Sequence, residues 1–261
     1  MRKLDPVTTL LARLAVRWPR AAFRLASAIG GARTAVTGRW PSSREVESLA
    51  DRLAMAALEE RNEVLVRCIR RAGLDVIRPL VKVPQELHGP CILGTFHVGA
   101  LHAVGAALEA LGKPVLGIRE GRIFTPRPPL ELITSEGTEQ QRAAVMVRAL
   151  EYLRAGNLVL LALDAASDAA IETKCLGNRL ALARGAFALA RITGAPIVPL
   201  VMRWRGTDVQ VMLGKRLEGE TEEQLADAAA QWLEHYLRES PRELTLGLLR
   251  ELLYAEPRPR S

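Results

Sequence analysis

Two of the four histidines in the chain, His97 and His102, stand five positions apart just after a short apolar run, Cys91 to Phe96. An imidazole at the end of a buried strand can take a proton from a hydroxyl near neutral pH, which is the work of a general base. Gly99 follows closely, and the backbone N–H groups of Gly99 and Ala100 are expected to face a developing oxyanion. Three further residues belong to the same inventory. Asp164 ends the apolar run Leu158 to Leu163 and can serve as a carboxylate partner. Arg119 ends the run Val115 to Ile118, and Arg184 precedes Gly185 at a helix start. Arginines so placed can hold phosphate groups, and Gly185 permits close ligand approach. A metal is not expected. Two histidines five apart on a continuous helix point about 140° apart, and no third ligand is spaced nearby. His88, beside Gly89 and Pro90, reads as a loop histidine.

The elements that must position these groups follow from periodicity. Cys91 to Phe96 reads as a buried strand, Leu101 to Leu111 as a helix stopped by Gly112 and Pro114, and Val115 to Ile118 as a second strand. Strand, helix and strand in that order imply a parallel pair joined by a right-handed crossover. In such sheets ligands bind outside the carboxyl ends of the strands, where His97 and Arg119 both lie. A loop rich in charge and proline follows, Glu120 to Pro129. Then come a helix from Thr138 to Ala155, the strand at Leu158, a loop over Ala165 to Thr173, and a Gly177-Asn178 turn. After these come a helix from Gly185 to Ile192, a strand at Ile197 to Trp204, and an edge strand at Val209 to Leu213. Thr221 caps a helix over 222–239, and Pro241 to Tyr254 reads as a last amphipathic helix. The fold class expected is α/β: a mixed, mostly parallel sheet flanked by helices, preceded by a basic amphipathic helical segment. The expected divisions are 1–40 for that segment, 41–240 for the α/β domain, and 241–261 for a C-terminal helix and tail.

Over about residues 40–240 the chain resembles the glycerolipid acyltransferase superfamily, most nearly the late acyltransferases of lipid A biosynthesis. The resemblance rests on the strand ending in His97, the strand ending in Arg119, the stretch Leu176-Gly177-Asn178-Arg179 with Arg184-Gly185, and Thr193-Gly194-Ala195-Pro196-Ile197-Val198-Pro199. It implies transfer of a fatty acyl group from an acyl-carrier protein or acyl-CoA thioester to a hydroxyl of a lipid or glycolipid. His97 would be the general base, and no cofactor is implied beyond the thioester co-substrate. In that family an acid five positions after the histidine orients it; here the position holds His102. A neutral His102 can accept a hydrogen bond from His97 and fix its tautomer. Asp164 is the preferred substitute acid, with Glu120 second. The rival reading is a catalytically degenerate relative with a lipid-binding or scaffold role. A nucleotide-binding α/β protein is disfavoured, because no Gly-rich phosphate loop joins a strand to a helix.

The net positive charge comes from one end. Residues 1–40 carry eight basic groups and one acid, Asp5, a balance of +7 that equals the formal charge of the whole chain. From Val7 the pattern is amphipathic. Arg13, Arg17, Arg20 and Arg24 share one narrow face, with Leu11, Leu14, Trp18, Ala22, Leu25 and Ile29 roughly opposite; Pro19 splits or kinks the segment. Such a helix suits an anionic membrane surface, and its alternative is docking on the domain. Nucleic acid is not an expected partner: aromatics are 4% and no finger-like spacing occurs. No apolar run is long enough to span a bilayer, so membrane association is expected to be peripheral, and the resemblance implies the cytoplasmic face of the inner membrane. The three scattered cysteines read as reduced, packed thiols.

Overall fold

A computed structural model of the chain describes residues 6–37, 49–83, 89–119, 130–134, 138–165, 169–245, 248 and 252. Outside them lie Asp5, whose place before Pro6 suits a helix cap, Gly38 to Pro41, which read as a linker, Ser42 and Glu45, whose spacing is that of a capping box, His88, Glu120 with its Pro-rich loop, and the C-terminal tail.

The β-strands are β1 (Val81–Lys82), β2 (Cys91–Thr95), β3 (Val115–Arg119), β4 (Leu130–Thr134), β5 (Leu158–Ala162), β6 (Ala170–Cys175), β7 (Asn178–Ala183), β8 (Ile197–Arg205) and β9 (Asp208–Leu213). The α-helices are α1 (Pro6–Arg17), α2 (Pro19–Thr37), α3 (Leu49–Ala72), α4 (Val104–Leu111), α5 (Glu139–Arg154), α6 (Arg184–Thr193) and α7 (Glu222–Glu239). Seven strands form one sheet in the order β1-β9-β8-β2-β5-β3-β4, and β6 with β7 forms a separate hairpin. Within the large sheet only β8 and β9 pair antiparallel; every other neighbouring pair is parallel. The α/β class with a mostly parallel sheet is therefore as the sequence pattern implies.

Both faces of the sheet are covered, which explains its near-continuous apolar strands. Alternate residues of β2 point opposite ways: Cys91 and Leu93 join the core under α1 to α4, while Ile92 joins the core under α5, α6 and α7. All three cysteines are buried and outside any disulfide, and burial pushes the Cys68 and Cys91 thiols up to about 11. Neither of those two offers a thiolate nucleophile at neutral pH.

Several expectations change. The strands β2 and β3 are not neighbours: β5 lies between them, pairing Thr95 with Ala162 on one side and Gly117 with Leu160 on the other. The expected edge strand, β9, is internal, since β1 pairs with it in parallel. Further strands join those expected: Leu130–Thr134 is β4, Ala170–Cys175 (β6) occupies most of the expected loop, and Asn178–Ala183 (β7) follows the expected Gly177-Asn178 turn. The helix expected from Leu101 begins as a 3-10 turn, Leu101–Ala103, and becomes α-helical at Val104. The helix expected over Pro241 to Tyr254 begins as a 3-10 turn, Pro241–Glu243; Leu244 then forms an antiparallel bridge with Val98, and Leu248 and Leu252 farther on are helical.

At the N-terminal end Pro19 separates α1 from α2, as a proline inside a helical pattern does. The pair docks on the domain. Leu11, Ala15, Ala22, Phe23 and Ala26 are buried in the same core as α3 and the sheet. Phe23 packs on Trp204 with ring centroids 5.1 Å apart, and Arg20 reaches Asp208 at 3.2 Å. The expected separation of apolar and basic faces is corrected in one respect. Leu11 and Ala22 are buried, but Trp18 is 55% exposed and Leu25 47% exposed, on the outer surface with Arg13, Arg17 and Arg24. None of the described helices is long and apolar enough to cross a membrane.

Candidate active site

The insertion of β5 beside β2 brings the ends of two buried strands side by side. β2 ends at Thr95 and the chain turns at His97; β5 ends at Ala162 and the chain turns at Asp164. The two turns are locked, with the Leu163 N–H donating to Thr95 O at 2.7 Å. Asp164 then binds His97 through both carboxylate oxygens. His97 Nδ1 lies 2.8 Å from Oδ1, and the His97 backbone N–H donates to Oδ2, also at 2.8 Å. The Asp164 side chain is 2% exposed and that of His97 is 46% exposed. A buried carboxylate that accepts from Nδ1–H fixes the tautomer whose Nε2 lone pair can take a proton. It also opposes the charge that the ring acquires when it does so.

The five-residue spacing of His97 and His102 therefore does not identify the residue that holds Nδ1. That role belongs to Asp164, 67 positions away in sequence and one strand away in space. His102 sits half-buried on the 3-10 turn before α4.

The backbone after His97 departs from expectation. The Gly99 N–H donates to Glu243 O at 2.8 Å, the Ala100 N–H to Met202 O at 2.7 Å, and the Val98 N–H to Phe96 O at 2.8 Å. The donors expected to serve an oxyanion are thus engaged by the protein itself. Gly99 has φ +58°, and a Cβ there would lie 2.2 Å from Met202 O and 2.8 Å from Glu243 Oε2. Its glycine is required by the turn and by the close approach of β8, which is a structural reason distinct from ligand contact.

Behind the turn is a polar layer that sequence reasoning missed. Asn62 Nδ2 donates to Gly99 O at 2.8 Å, and Trp204 Nε1 donates to Asn62 Oδ1 at 3.3 Å. The signal was available, because Asn62 interrupts the buried stripe Leu58, Leu65 and Ile69 on α3 at helical spacing. Glu243, 8% exposed, lies against Arg203 with Oε1 to Nε 3.9 Å. Burial pushes the Glu243 carboxyl up to about 7, against the pull of Arg203, Arg61 and a backbone N–H bond from Trp204.

The remaining expected residues occupy the same edge of the sheet. Arg119 is the last residue of β3, paired with Thr134 of β4 and about two strand spacings, roughly 10 Å, from β2. Arg184 opens α6, just after the Ala183 N–H donates to Leu163 O at 2.7 Å. Its exposed guanidinium is hydrogen-bonded to Glu222 in the first turn of α7, which raises its pKa further. That commits Arg184 to an ion pair within the protein. A Cβ on Gly185 would meet Met146 at ordinary contact distance, 3.7 Å, so packing alone does not require glycine there. Among the described residues no three His, Cys, Asp or Glu side chains gather as a metal site.

No protein-family model matches this chain, and no curated protein matches it.

Proposed function

We propose that the chain is an O-acyltransferase of the glycerolipid acyltransferase type, moving a fatty acyl group from an acyl-carrier protein or acyl-CoA thioester to a lipid or glycolipid hydroxyl. One observation carries the reading: a half-exposed histidine held by a buried carboxylate at the carboxyl edge of a mostly parallel sheet. In the reaction the acceptor oxygen attacks the thioester carbonyl as His97 Nε2 takes its proton. The C–O bond forms, the C–S bond breaks, and the proton passes to the departing sulfur. Asp164 stabilises the imidazolium formed in between. Arg119, at the end of β3, is the candidate cation for phosphate groups of acceptor or carrier. The resemblance at His97, Arg119 and the Thr193 to Pro199 stretch supports the same assignment.

The outer surface of α1 and α2 supports a peripheral location on the cytoplasmic face of the inner membrane. Leu10, Trp18 and Leu25 are exposed there among Arg13, Arg17 and Arg24. Apolar residues that enter the interface, interleaved with cations that attract anionic headgroups, are the two components of interfacial binding. The pair meets the domain at the β8–β9 turn, through Arg20 and Asp208. β8 runs on past its last pair with β2, Leu200 with Thr95, so this contact lies toward the edge from which the His97 turn emerges.

A second reading, a lipid-binding relative without catalysis, is favoured by one observation: the N–H groups after His97 are spent on protein acceptors. The two readings separate on mixing the protein with long-chain acyl-CoA or acyl-carrier protein and a bacterial lipid extract. Free thiol and a newly acylated lipid, both lost in His97→Ala, support the enzyme. Product formation undiminished in His97→Ala contradicts the assigned base, and lipid binding without turnover by the wild type favours the second reading.

A further inference from the structure

The turn that carries His97 is held from outside its own strand and helix. Three ties come from the segment after α7. The Gly99 N–H donates to Glu243 O at 2.8 Å, Val98 bridges Leu244, and the Thr245 hydroxyl donates to the carbonyl of His97 itself. That same hydroxyl accepts from the Leu248 N–H at 3.3 Å. Leu248 and Leu252 are 1% and 3% exposed, in the core that also takes in Phe96 and Val98. The segment is therefore anchored on both sides: by Glu243 beneath Gly99, and by two leucines in the core beyond Thr245. Loops at strand ends move more readily than the strands they follow, and this one is fastened residue by residue.

We infer that the segment Ser240 to Thr245 is a positioning strap for the His97–Asp164 couple, with Thr245 its contact to the base. The inference rests on the acyltransferase reading for its consequence in catalysis, though not for its effect on the histidine. Asp164 holds His97 at the ring and the backbone N–H, and Thr245 holds the carbonyl of the same residue. The peptide groups on both sides of the His97 Cα are thus fixed by separate elements, which leaves the ring little freedom except about its side-chain torsions. A displacement of about 1 Å in a reacting group can cost on the order of 10²-fold in rate. Thr245 touches no reacting atom in this scheme; it acts through His97, so it is a positioning residue.

The test uses the full chain with Thr245→Val and Thr245→Ser. Valine keeps the branched shape and removes both hydrogen bonds of the hydroxyl, whereas serine retains them. Thr245→Val is expected to lower kcat about tenfold with KM for the thioester unchanged, and Thr245→Ser to restore most of the loss. A second readout needs no turnover: the Nδ1 proton resonance of His97, identified by its disappearance in His97→Ala. In Thr245→Val its exchange with water is expected to speed up by about fivefold or more, with the thermal midpoint nearly unchanged. Wild-type exchange rates in Thr245→Val overturn the strap, as does Thr245→Ser behaving no better than Thr245→Val. A wild-type protein inactive with every donor defeats the enzymatic reading alone, because the resonance still decides the strap.

Discussion

Asp164→Asn isolates what the buried carboxylate does. Both oxygens are occupied, one by the ring Nδ1 and one by the backbone N–H of His97, each at 2.8 Å. Asparagine keeps one oxygen and turns an amide toward the other donor. The backbone contact is the same in ground and transition states, so its loss largely cancels in kcat. The ring contact is not the same, because the imidazole becomes charged as it takes the hydroxyl proton. Charge centres about 4 Å apart at an effective dielectric near 20 interact by about 4 kcal/mol. That dielectric suits a carboxylate 2% exposed facing a ring 46% exposed. Losing about 4 kcal/mol slows the reaction on the order of 10³-fold, below the 10⁴ seen for the corresponding change in a serine protease. The assay is steady-state thiol release from a long-chain thioester at saturating acceptor, with circular dichroism to establish that the variant is folded. A folded Asp164→Asn protein with kcat within about threefold of wild type would refute the reasoning.

Other consequences follow from the same geometry. Gly99→Ala places a Cβ 2.2 Å from Met202 O at φ +58°. It should cost roughly 3 kcal/mol or more and lower the thermal midpoint by about 6–12 °C in a chain of this size. Glu243, whose carboxyl is raised from 4.5 to about 7 by burial, favours the protonated native state. Its contribution is complete below pH 4.5 and is lost as pH rises through 7; urea unfolding at pH 5 and pH 8 should differ by roughly 2–3 kcal/mol from this group, and Glu243→Gln should remove that difference. At the N-terminal end, the triple change of Arg13, Arg17 and Arg24 to Ala should weaken partitioning onto anionic vesicles about 100-fold, at about 1 kcal/mol per cation. Sedimentation with vesicles measures this, and binding to neutral vesicles should be weak throughout.

The strand ends were legible in the sequence because buried parallel strands are apolar runs that stop abruptly at a polar residue. Cys91 to Thr95 stops before His97, and Leu158 to Ala162 before Asp164. Which ends meet was not legible, since strand order is a long-range property: the strand–helix–strand pattern placed β3 beside β2, and the sheet places β5 there. The five-residue spacing drew attention to His102, while the ring partner came from another strand. β4 was hidden because a Pro-rich stretch precedes it and its residues are half-buried, with Glu131 among them. β6 was hidden because Glu172 and Lys174 occupy its exposed face. The occupied N–H groups of Gly99 and Ala100 could not be foreseen, as their acceptors, Glu243 and Met202, lie more than a hundred residues downstream. The N-terminal arginines were legible as a basic surface. That Trp18 and Leu25 share it depended on which face α1 and α2 present to the core.

The central claim is that Asp164 acts on the reaction through His97. It is tested most directly by acyl transfer in the double variant His97→Ala with Asp164→Asn, compared with each single variant. If the two residues work as one unit, the double variant is as slow as His97→Ala alone, to within about twofold. If the Asp164→Asn change slows the His97→Ala protein by a further factor near 10³, the two act independently and the couple described here is not the catalytic device.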